Sequence, residues 1–348
     1  MRRDVTTLNE IYGQPDVWKR CLATLAETDL RALVEGFDPA AVEWVFVGCG
    51  TSFYLAQAAA ASLTTLMGVP ARAVPASEIL LFPSLVFPAG AGKYFPVLIS
   101  RSGHTSEVLH VAEMLKAQGV EFLGVTCDGR ELAKLAPRTL KLEVVEESTV
   151  MTSSFTSMLL ALQYLAAEIA GDREFIKALE TLPEDLSRLL ETYGPKVEAF
   201  AETEREDFAF LGQGALYAIA AETALKVMES SSSYAQYFHT LEFRHGPKSI
   251  VGPKTLVGVL IGESSAESEI PVVREMKALG SATMAVVNRA TPALQEATDL
   301  LIELELPVPE LARLAVYVVW GQLLGSYRGL AKGLDPDNPK NLTRVVTI

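Results

Sequence analysis

The chain has 348 residues, of which 49% are hydrophobic and 21% charged, and its formal net charge is −13. This length can form two domains with ordinary cores, while the negative charge argues against a nucleic-acid partner, because phosphate backbones are bound by excess Lys and Arg. The apolar runs at 55–67, 157–170 and 311–324 are shorter than the roughly 20 residues that span a bilayer, and the N-terminus lacks the apolar segment of a signal peptide, so we expect a cytoplasmic protein with no membrane partner.

After an N-terminal segment that we expect to be helical, the first half of the chain alternates short apolar runs with helical patterns. The first two apolar runs are followed by turns rich in Gly, Ser and Thr, and the first helical pattern ends at a glycine suited to a helix C-terminus. Short buried strands that alternate with helices predict βαβ units and a parallel sheet. The predicted strands are EWVFVG (43–48), FPVLIS (95–100) and VEFLGVTCD (120–128).

The second half repeats this order at closely similar spacing, with FAFLGQG (208–214), TLVGVLIGESSAE (255–267) and SATMAVVN (281–288). Such a long-period repeat predicts two copies of one α/β fold, each a parallel sheet between two layers of helices. The predicted organisation is an N-terminal helical segment (1–35), a first domain (36–180), a helical bridge (181–199) and a second domain (200–348).

Hydroxyl side chains cluster in two of the predicted turns, where strands of a parallel sheet end and helices begin. Ligands bind at this edge of open α/β sheets, and a helix N-terminus with free N–H groups favours an anion such as phosphate. The alternative is that these residues only cap helices and form turns. The residues are Thr51 and Ser52 in GCGTS, and Ser100, Ser102, Thr105 and Ser106 in SRSGHTSE.

Charged residues lie on one face of the Ala-rich helix that follows the turn GQG. Glu222, Lys226 and Glu229 are spaced i, i+4 and i+7, so they share a face near the end of a strand. They either form a solvated Glu–Lys pair or line a cleft, and the apolar flanks favour the cleft. His245 lies in RHGP, a loop without an apolar pattern, and a histidine near a carboxylate is typical of acid/base pairs.

No metal or cofactor is predicted from the sequence. The remaining histidines, His104, His110 and His239, have no metal-ligand spacing, and the three cysteines are far apart without CxxC spacing, so we expect reduced, mostly buried thiols. The chain has neither a GxxxxGK[ST] loop nor a GxGxxG fingerprint.

Taken together in order, six blocks resemble the sugar isomerase (SIS) family and cover nearly the whole chain. They are EIYGQP (10–15), GCGTS (48–52), SRSGHTSE (100–107), GQGALYAIAAETALKVMES (212–230), RHGP (244–247) and NPKNLTRVVTI (338–348). The resemblance implies two SIS-type α/β domains and an enzyme that uses neither metal nor nicotinamide. Because the chain starts at the EIYGQP block, we expect no glutaminase domain and no built-in ammonia supply.

The resemblance also implies roles for single residues. Glu229 would move a proton between C1 and C2 of a sugar, His245 would assist ring opening, and Lys226 with Glu222 would complete the catalytic group. The His245 loop would reach a neighbouring subunit, which makes a homodimer with shared active sites the expected catalytic unit. The residues expected to hold the sugar 6-phosphate and the sugar are Thr51, Ser52, Ser100, Arg101, Ser102, Thr105, Thr152, Ser153 and Arg344.

Three departures separate the chain from the synthase branch of the family. Arg344 stands where that branch has a lysine that forms an imine with the ketose, Arg101 replaces a glutamine, and the segment 150–157 replaces one that contains a lysine. We therefore expect an isomerase/deaminase that converts glucosamine 6-phosphate to fructose 6-phosphate and ammonia. An aldose–ketose isomerase without deamination is one alternative. A non-catalytic sugar-phosphate sensor is another, although the residues before the first strand are too few and too acidic for a helix-turn-helix domain.

Overall fold

Ten strands form two five-stranded sheets in the structure, a computed structural model that describes residues 4–88 and 92–346. The first sheet contains β1 (Glu43–Gly48), β2 (Ala71–Pro75), β3 (Tyr94–Ile99), β4 (Leu123–Thr126) and β5 (Arg138–Lys141). The second contains β6 (Asp207–Gly212), β7 (Tyr234–His239), β8 (Thr255–Leu260), β9 (Ala282–Val287) and β10 (Leu300–Glu303). Residues 1–3 of the predicted N-terminal segment and residues 347–348 of the tail block lie outside the described residues.

The helices fall between these strands, as the alternating pattern predicts. In chain order they are α1 (Thr6–Tyr12), α2 (Gln14–Glu27), α3 (Thr51–Met67), α4 (Ala76–Leu81), α5 (Pro83–Val86), α6 (Ser106–Ala117), α7 (Glu131–Leu135), α8 (Ser153–Ala170), α9 (Arg173–Glu202), α10 (Leu216–Ser231), α11 (Ala266–Ala278), α12 (Pro292–Ala297) and α13 (Leu314–Ala331). Short 3₁₀ turns lie at Leu30–Val34, Glu242–Arg244, Pro247–Ile250 and Glu310–Arg313. Among the described residues, no helix is long and apolar enough to cross a bilayer.

The two sheets have the same topology. Every pairing is parallel, and the strand order is β2-β1-β3-β4-β5 in the first sheet and β7-β6-β8-β9-β10 in the second. In both, the first strand lies between the second and the third, which places a topological switch point at the carboxyl ends of the first and third strands. The prediction of two parallel-sheet α/β folds is confirmed.

Side-chain burial explains why these segments form a parallel sheet. The strands β8 and β9 are buried along their whole length, and β1, β3 and β6 are buried at all positions but the first. Apolar side chains on both faces are what strands covered by two helix layers require. The helix α3 ends at Gly68, whose φ of +68° is the left-handed conformation expected of a C-terminal glycine.

The described residues group into two compact units that alternate along the chain. The β1–β5 unit contains residues 16–88, 92–146, 153–180 and 343–346, and the β6–β10 unit contains residues 4–15, 147–152 and 181–342. The predicted bridge 181–199 lies within α9, while the predicted domain boundaries stay a prediction.

Candidate active site

The turn after β1 brings two hydroxyls to the start of α3. A side chain at Gly48 would place its Cβ 2.4 Å from the Ser52 carbonyl oxygen, so only glycine fits there. Gly50 has a φ of +54° and caps the helix without a side-chain hydrogen bond. Thr51 and Ser52 are the first helical residues and are nearly buried, with exposures of 6% and 5%. The predicted hydroxyl pair therefore lies at a helix N-terminus without acting as its cap.

The turn after β3 holds three more hydroxyls in the same β1–β5 unit. Thr105 is the N-cap of α6, yet its side chain makes no capping bond, and its Oγ1 lies 2.9 Å from Ser100 Oγ instead. Ser102 Oγ accepts a hydrogen bond from the His104 N–H at 3.2 Å. Gly103 has a φ of +62°, which allows the backbone to turn here. The Thr105 hydroxyl therefore does not cap the helix, but it and Ser102 both bond within the turn, as the alternative of turn-forming residues expects.

A buried ion pair fixes Arg101 in this turn. Its guanidinium donates to the Glu146 carboxylate at 2.9 Å, and the side-chain exposures of the two residues are 8% and 1%. Glu146 also accepts hydrogen bonds from Ser154, from the N–H at 3.1 Å and from the hydroxyl at 2.5 Å. Sequence reasoning missed Glu146, because its partners lie at separations of 45 and 8 residues and no motif marks it.

The C-terminal tail is joined to the same ion pair. Arg101 donates to the Arg344 carbonyl oxygen at 3.2 Å, and the Arg344 guanidinium donates to the Glu146 carbonyl oxygen. A cavity of about 290 Å³ adjoins these groups at the carboxyl edge of the first sheet. Its lining includes Arg101, Ser102, Asp128, Arg130, Glu146 and Arg344. Two predicted binding residues of the turn and the predicted tail residue thus line one cavity.

The predicted binding residues Thr152 and Ser153 lie in different units. Thr152 belongs to the β6–β10 unit and is 1% exposed, and its carbonyl accepts from Gln322 Nε2 at 3.3 Å. Gln322 Oε1 in turn accepts from Gln14 Nε2 at 2.9 Å. Ser153 is the first residue of α8 in the β1–β5 unit and is also 1% exposed.

The N-terminal block EIYGQP also holds the segment that precedes Thr152. Glu10 accepts the N–H of Glu147 at 2.5 Å and that of Ser148 at 3.2 Å. Gln14 is fully buried and begins the amide chain to Thr152. The sequence alone assigns no role to the EIYGQP block. These contacts give a physical reason for its presence among the six blocks.

In the β6–β10 unit, the helix α10 carries a buried charge cluster. Lys226 Nζ lies 3.2 Å from Glu222 Oε1 and 2.5 Å from Glu229 Oε2, and the side-chain exposures of Lys226, Glu222 and Glu229 are 1%, 0% and 19%. Burial acts to lower the pKa of Lys226, but the two carboxylates outweigh it and raise the pKa above its ordinary value. The ammonium group therefore stays charged at neutral pH. The alternative of a solvated surface pair is wrong for Glu222 and Lys226.

Only Glu229 in this cluster is open to solvent. Its Oε2 is held by Lys226, and Oε1 has no hydrogen-bond partner among the described residues. A partly exposed carboxylate with one oxygen fixed by a buried cation and the other without a hydrogen-bond partner has the geometry of a positioned proton acceptor.

His245 lies on an exposed loop of the same unit. It follows the 3₁₀ turn Glu242–Arg244, and its N–H donates to the Glu242 carbonyl at 2.9 Å. Within residues 4–88 and 92–346 its imidazole has no hydrogen-bond partner. The predicted pairing of His245 with a carboxylate is therefore not formed among these residues. Over the same ranges, no group of three or more His, Cys, Asp or Glu side chains is arranged to hold a metal ion.

Comparison with known proteins gives the family. The SIS domain model matches residues 41–168 and 203–319. The glutamine–fructose-6-phosphate aminotransferase [isomerizing] of Methanothermobacter thermautotrophicus is 29% identical over 98% of this chain and 57% of its own length, and that of Synechocystis is 29% identical over 98% and 59%. The chain thus spans less than three fifths of these curated relatives.

Solved structures of whole chains are also similar. Glucosamine-6-phosphate deaminase from Thermotoga maritima has a TM-score of 0.83 and 29% identity, covering 99% of this chain and 100% of that one. Tagatose-6-phosphate ketose/aldose isomerase from Escherichia coli has a TM-score of 0.84 at 23% identity, covering 97% and 96%, which is a likeness of fold. With its two matched segments and the duplicated fold, the chain belongs to the SIS domain family.

Proposed function

We propose that the chain is an enzyme that converts glucosamine 6-phosphate and water to fructose 6-phosphate and ammonia. The observation that carries the proposal is Glu229, a partly exposed carboxylate with one oxygen fixed by a buried lysine and the other without a hydrogen-bond partner among the described residues. In the open-chain sugar, Oε1 removes the proton from C2 while the C1 oxygen takes up a proton from solvent, which gives an enolamine. Oε1 then returns its proton to C1 as the amino group releases a proton to solvent. The resulting C2 imine is then hydrolysed, which releases ammonia and leaves the ketose.

The phosphate-binding part of the proposal rests on the hydroxyl turns of the β1–β5 unit. Ser100, Ser102 and Thr105, together with Ser52, offer hydroxyls at two helix N-termini, where the helix dipole favours an anion. Hydrogen bonds to a charged phosphate contribute about 1.5–3 kcal/mol each, which is enough to select phosphorylated over free sugar.

Deamination rather than amino transfer is favoured by Arg344. A guanidinium delocalises its nitrogen lone pairs over a planar cation, so it cannot be the nucleophilic amine that forms an imine with a ketose. The 29% identity with a glucosamine-6-phosphate deaminase that the chain covers completely supports the same choice.

The test is a panel of hexose and hexosamine 6-phosphates assayed for both ammonia and ketose. We expect glucosamine 6-phosphate to yield the two products in equal amounts, and Glu229→Gln to lower the rate by about 10²–10⁴-fold, as expected for loss of a general base. The matched control is Glu296→Gln, which removes the same charge from an exposed position on α12. Ketose without ammonia from an unsubstituted aldose would favour the isomerase alternative, and tight binding without turnover would favour a sensor.

We further propose that the catalytic unit is a homodimer with shared active sites. The support is His245, whose exposed imidazole has no partner within the described chain and is therefore available to a neighbouring subunit. Mixed Glu229→Gln and His245→Asn subunits should recover activity that neither variant has alone. Absence of recovery, with mixed dimers verified by mass spectrometry, would contradict shared sites.

A further inference from the structure

The duplicated fold allows the turn after β3 to be compared residue by residue with the turn after β8. Ser100 N–H donates to the Val125 carbonyl at 3.0 Å, and Ile261 N–H donates to the Val286 carbonyl at 2.9 Å. Because β4 and β9 are equivalent strands, Ile261 is the counterpart of Ser100. The turn 261–265 is then the counterpart of the turn 100–105, which is the proposed phosphate site.

In the second turn, a carboxylate of the chain itself binds the backbone. Glu310 Oε2 accepts the N–H of Glu263 at 2.5 Å and that of Ser264 at 3.2 Å. A Cβ at Gly262 would lie 2.8 Å from Glu310 Oε1, so the close approach of this carboxylate depends on a glycine. Counting from Ile261, the Glu263 N–H is the counterpart of the Ser102 N–H, which has no partner among the described residues.

A second carboxylate takes up further donors of the same turn. Glu269 is completely buried and accepts the Gly262 N–H at 3.2 Å, the Ser265 hydroxyl at 2.6 Å and the Thr240 hydroxyl at 2.6 Å. The turn after β6 has also lost its hydroxyls, because Ala215 and Leu216 follow the GQG glycines where Thr51 and Ser52 follow Gly50. The turn after β6 thus offers no hydroxyl pair to a ligand, and the N–H groups of residues 262–264 in the turn after β8 are bound by carboxylates of the chain itself.

We infer that the Glu310 carboxylate occupies the position in the turn 261–265 that a bound phosphate would take. Each chain therefore binds one sugar phosphate, at the turn 100–105, and none at the turn 261–265. A carboxylate tethered beside its donors is present at a high effective concentration, which excludes free phosphate. The assignment of the first turn rests on the proposed function, whereas the role of Glu310 does not depend on catalysis.

The experiment measures phosphate-dependent stability after Glu310 is removed. Glu310→Ala is made in a Ser102→Ala/Thr105→Val background, which weakens the first turn, and melting temperatures are recorded from zero to high inorganic phosphate at constant ionic strength. We expect Glu310→Ala to melt at a lower temperature without phosphate and to recover part of the loss as phosphate is added. The matched control, Glu296→Ala, removes the same charge from an exposed residue and should show no additional phosphate dependence.

Two further measurements keep the inference open to refutation. If Glu310→Ala does not fold, Glu310→Gln replaces it, because glutamine keeps the shape of the side chain. The melting temperature of Glu310→Gln should also depend more strongly on phosphate than that of Glu296→Ala. If the melting temperatures of all variants depend equally on phosphate, the inference is overturned. Calorimetry with glucosamine 6-phosphate on a Glu229→Gln background should give one site per chain, and two sites would also overturn it. A phosphate response in Glu310→Ala combined with no sugar-phosphate binding at all would refute the proposed function and leave the role of Glu310 standing.

Discussion

Replacing Lys226 by methionine tests whether the charge cluster on α10 acts as a buried unit. Methionine keeps the length and most of the volume of the side chain but removes the ammonium group, so that Glu222, with 0% exposure, is left as a buried carboxylate without its cation. Removing one partner of a buried pair typically costs about 3–5 kcal/mol. Because about 1 kcal/mol lowers the melting temperature of a domain of this size by 2–4 °C, the expected loss is roughly 6–20 °C.

The pH dependence of this variant has a definite sign. Without Lys226, burial should raise the pKa of Glu222 in the folded state above its unfolded value of about 4.3. A group whose pKa is higher in the folded state than in the unfolded state stabilises the fold. Its contribution is complete below the pKa of the unfolded state and is lost as the pH rises through the pKa of the folded state. Lys226→Met should therefore lose less stability at pH 5 than at pH 8. In the wild type, the raised pKa of Lys226 stabilises the fold below the unfolded pKa of about 10.4, and this contribution is lost as the pH rises through the folded pKa.

The assay is calorimetric or circular-dichroism melting at several pH values, with two comparison variants. Lys226→Met/Glu222→Gln also removes the fully buried carboxylate and should recover part of the loss, because only the partly exposed Glu229 is then left without its cation. Lys254→Met removes a cation that is 71% exposed and pairs with an exposed Glu206, so little change is expected. A Lys226→Met variant that melts like Lys254→Met, at all pH values, would refute the buried-unit reasoning.

Three further predictions concern the proposed sugar-phosphate site. Ser102→Ala/Thr105→Val should weaken binding of the 6-phosphate by about 1.5–3 kcal/mol for each lost hydrogen bond while hardly changing binding of the free sugar, as measured by calorimetry; equal effects on both ligands would leave these residues as turn formers. His245→Asn should slow turnover of cyclic substrate more than that of an open-chain analogue, and equal losses would contradict a role in ring opening. Glu146→Gln keeps the shape but not the charge that pairs with Arg101, so it should raise KM for the phosphosugar more than it lowers kcat, whereas a purely structural role predicts loss of active protein at unchanged KM.

The sequence predicts the centre of each sheet better than its edges. The six strands recognised from apolar runs are those of the two sheet interiors, β1, β3 and β4 and their counterparts β6, β8 and β9. The edge strands β2, β5 and β7 are mostly half-buried or exposed, so their sequences lack a continuous apolar run. Burial on both faces produces the signal, and a strand at the border of a sheet has less of it.

The candidate site divides in a similar way between local and long-range features. The hydroxyl turns and the spacing of Glu222, Lys226 and Glu229 are visible in the sequence because strand, turn and helix are consecutive there. By contrast, Glu146 pairs with Arg101 in the turn after β3, and Glu310 binds the turn after β8. They act across 45 and 47 positions, through bonds that leave no periodic or motif-like trace. The sequence also does not determine whether Lys226 is buried, because the i,i+4 spacing is the same for a solvated ion pair and for a buried one.

The two copies of the fold carry different parts of the proposed chemistry. In the first copy the turn after β3 retains hydroxyls and an unpartnered Ser102 N–H, while the helix after β1 carries no charged residue between 51 and 67. In the second copy the helix after β6 carries the Glu–Lys–Glu cluster, while the turn after β8 is filled by carboxylates. Because neither copy retains both features, neither is expected to turn over a sugar phosphate by itself. The proposed phosphate turn and the proposed catalytic carboxylate therefore lie in different copies of the fold.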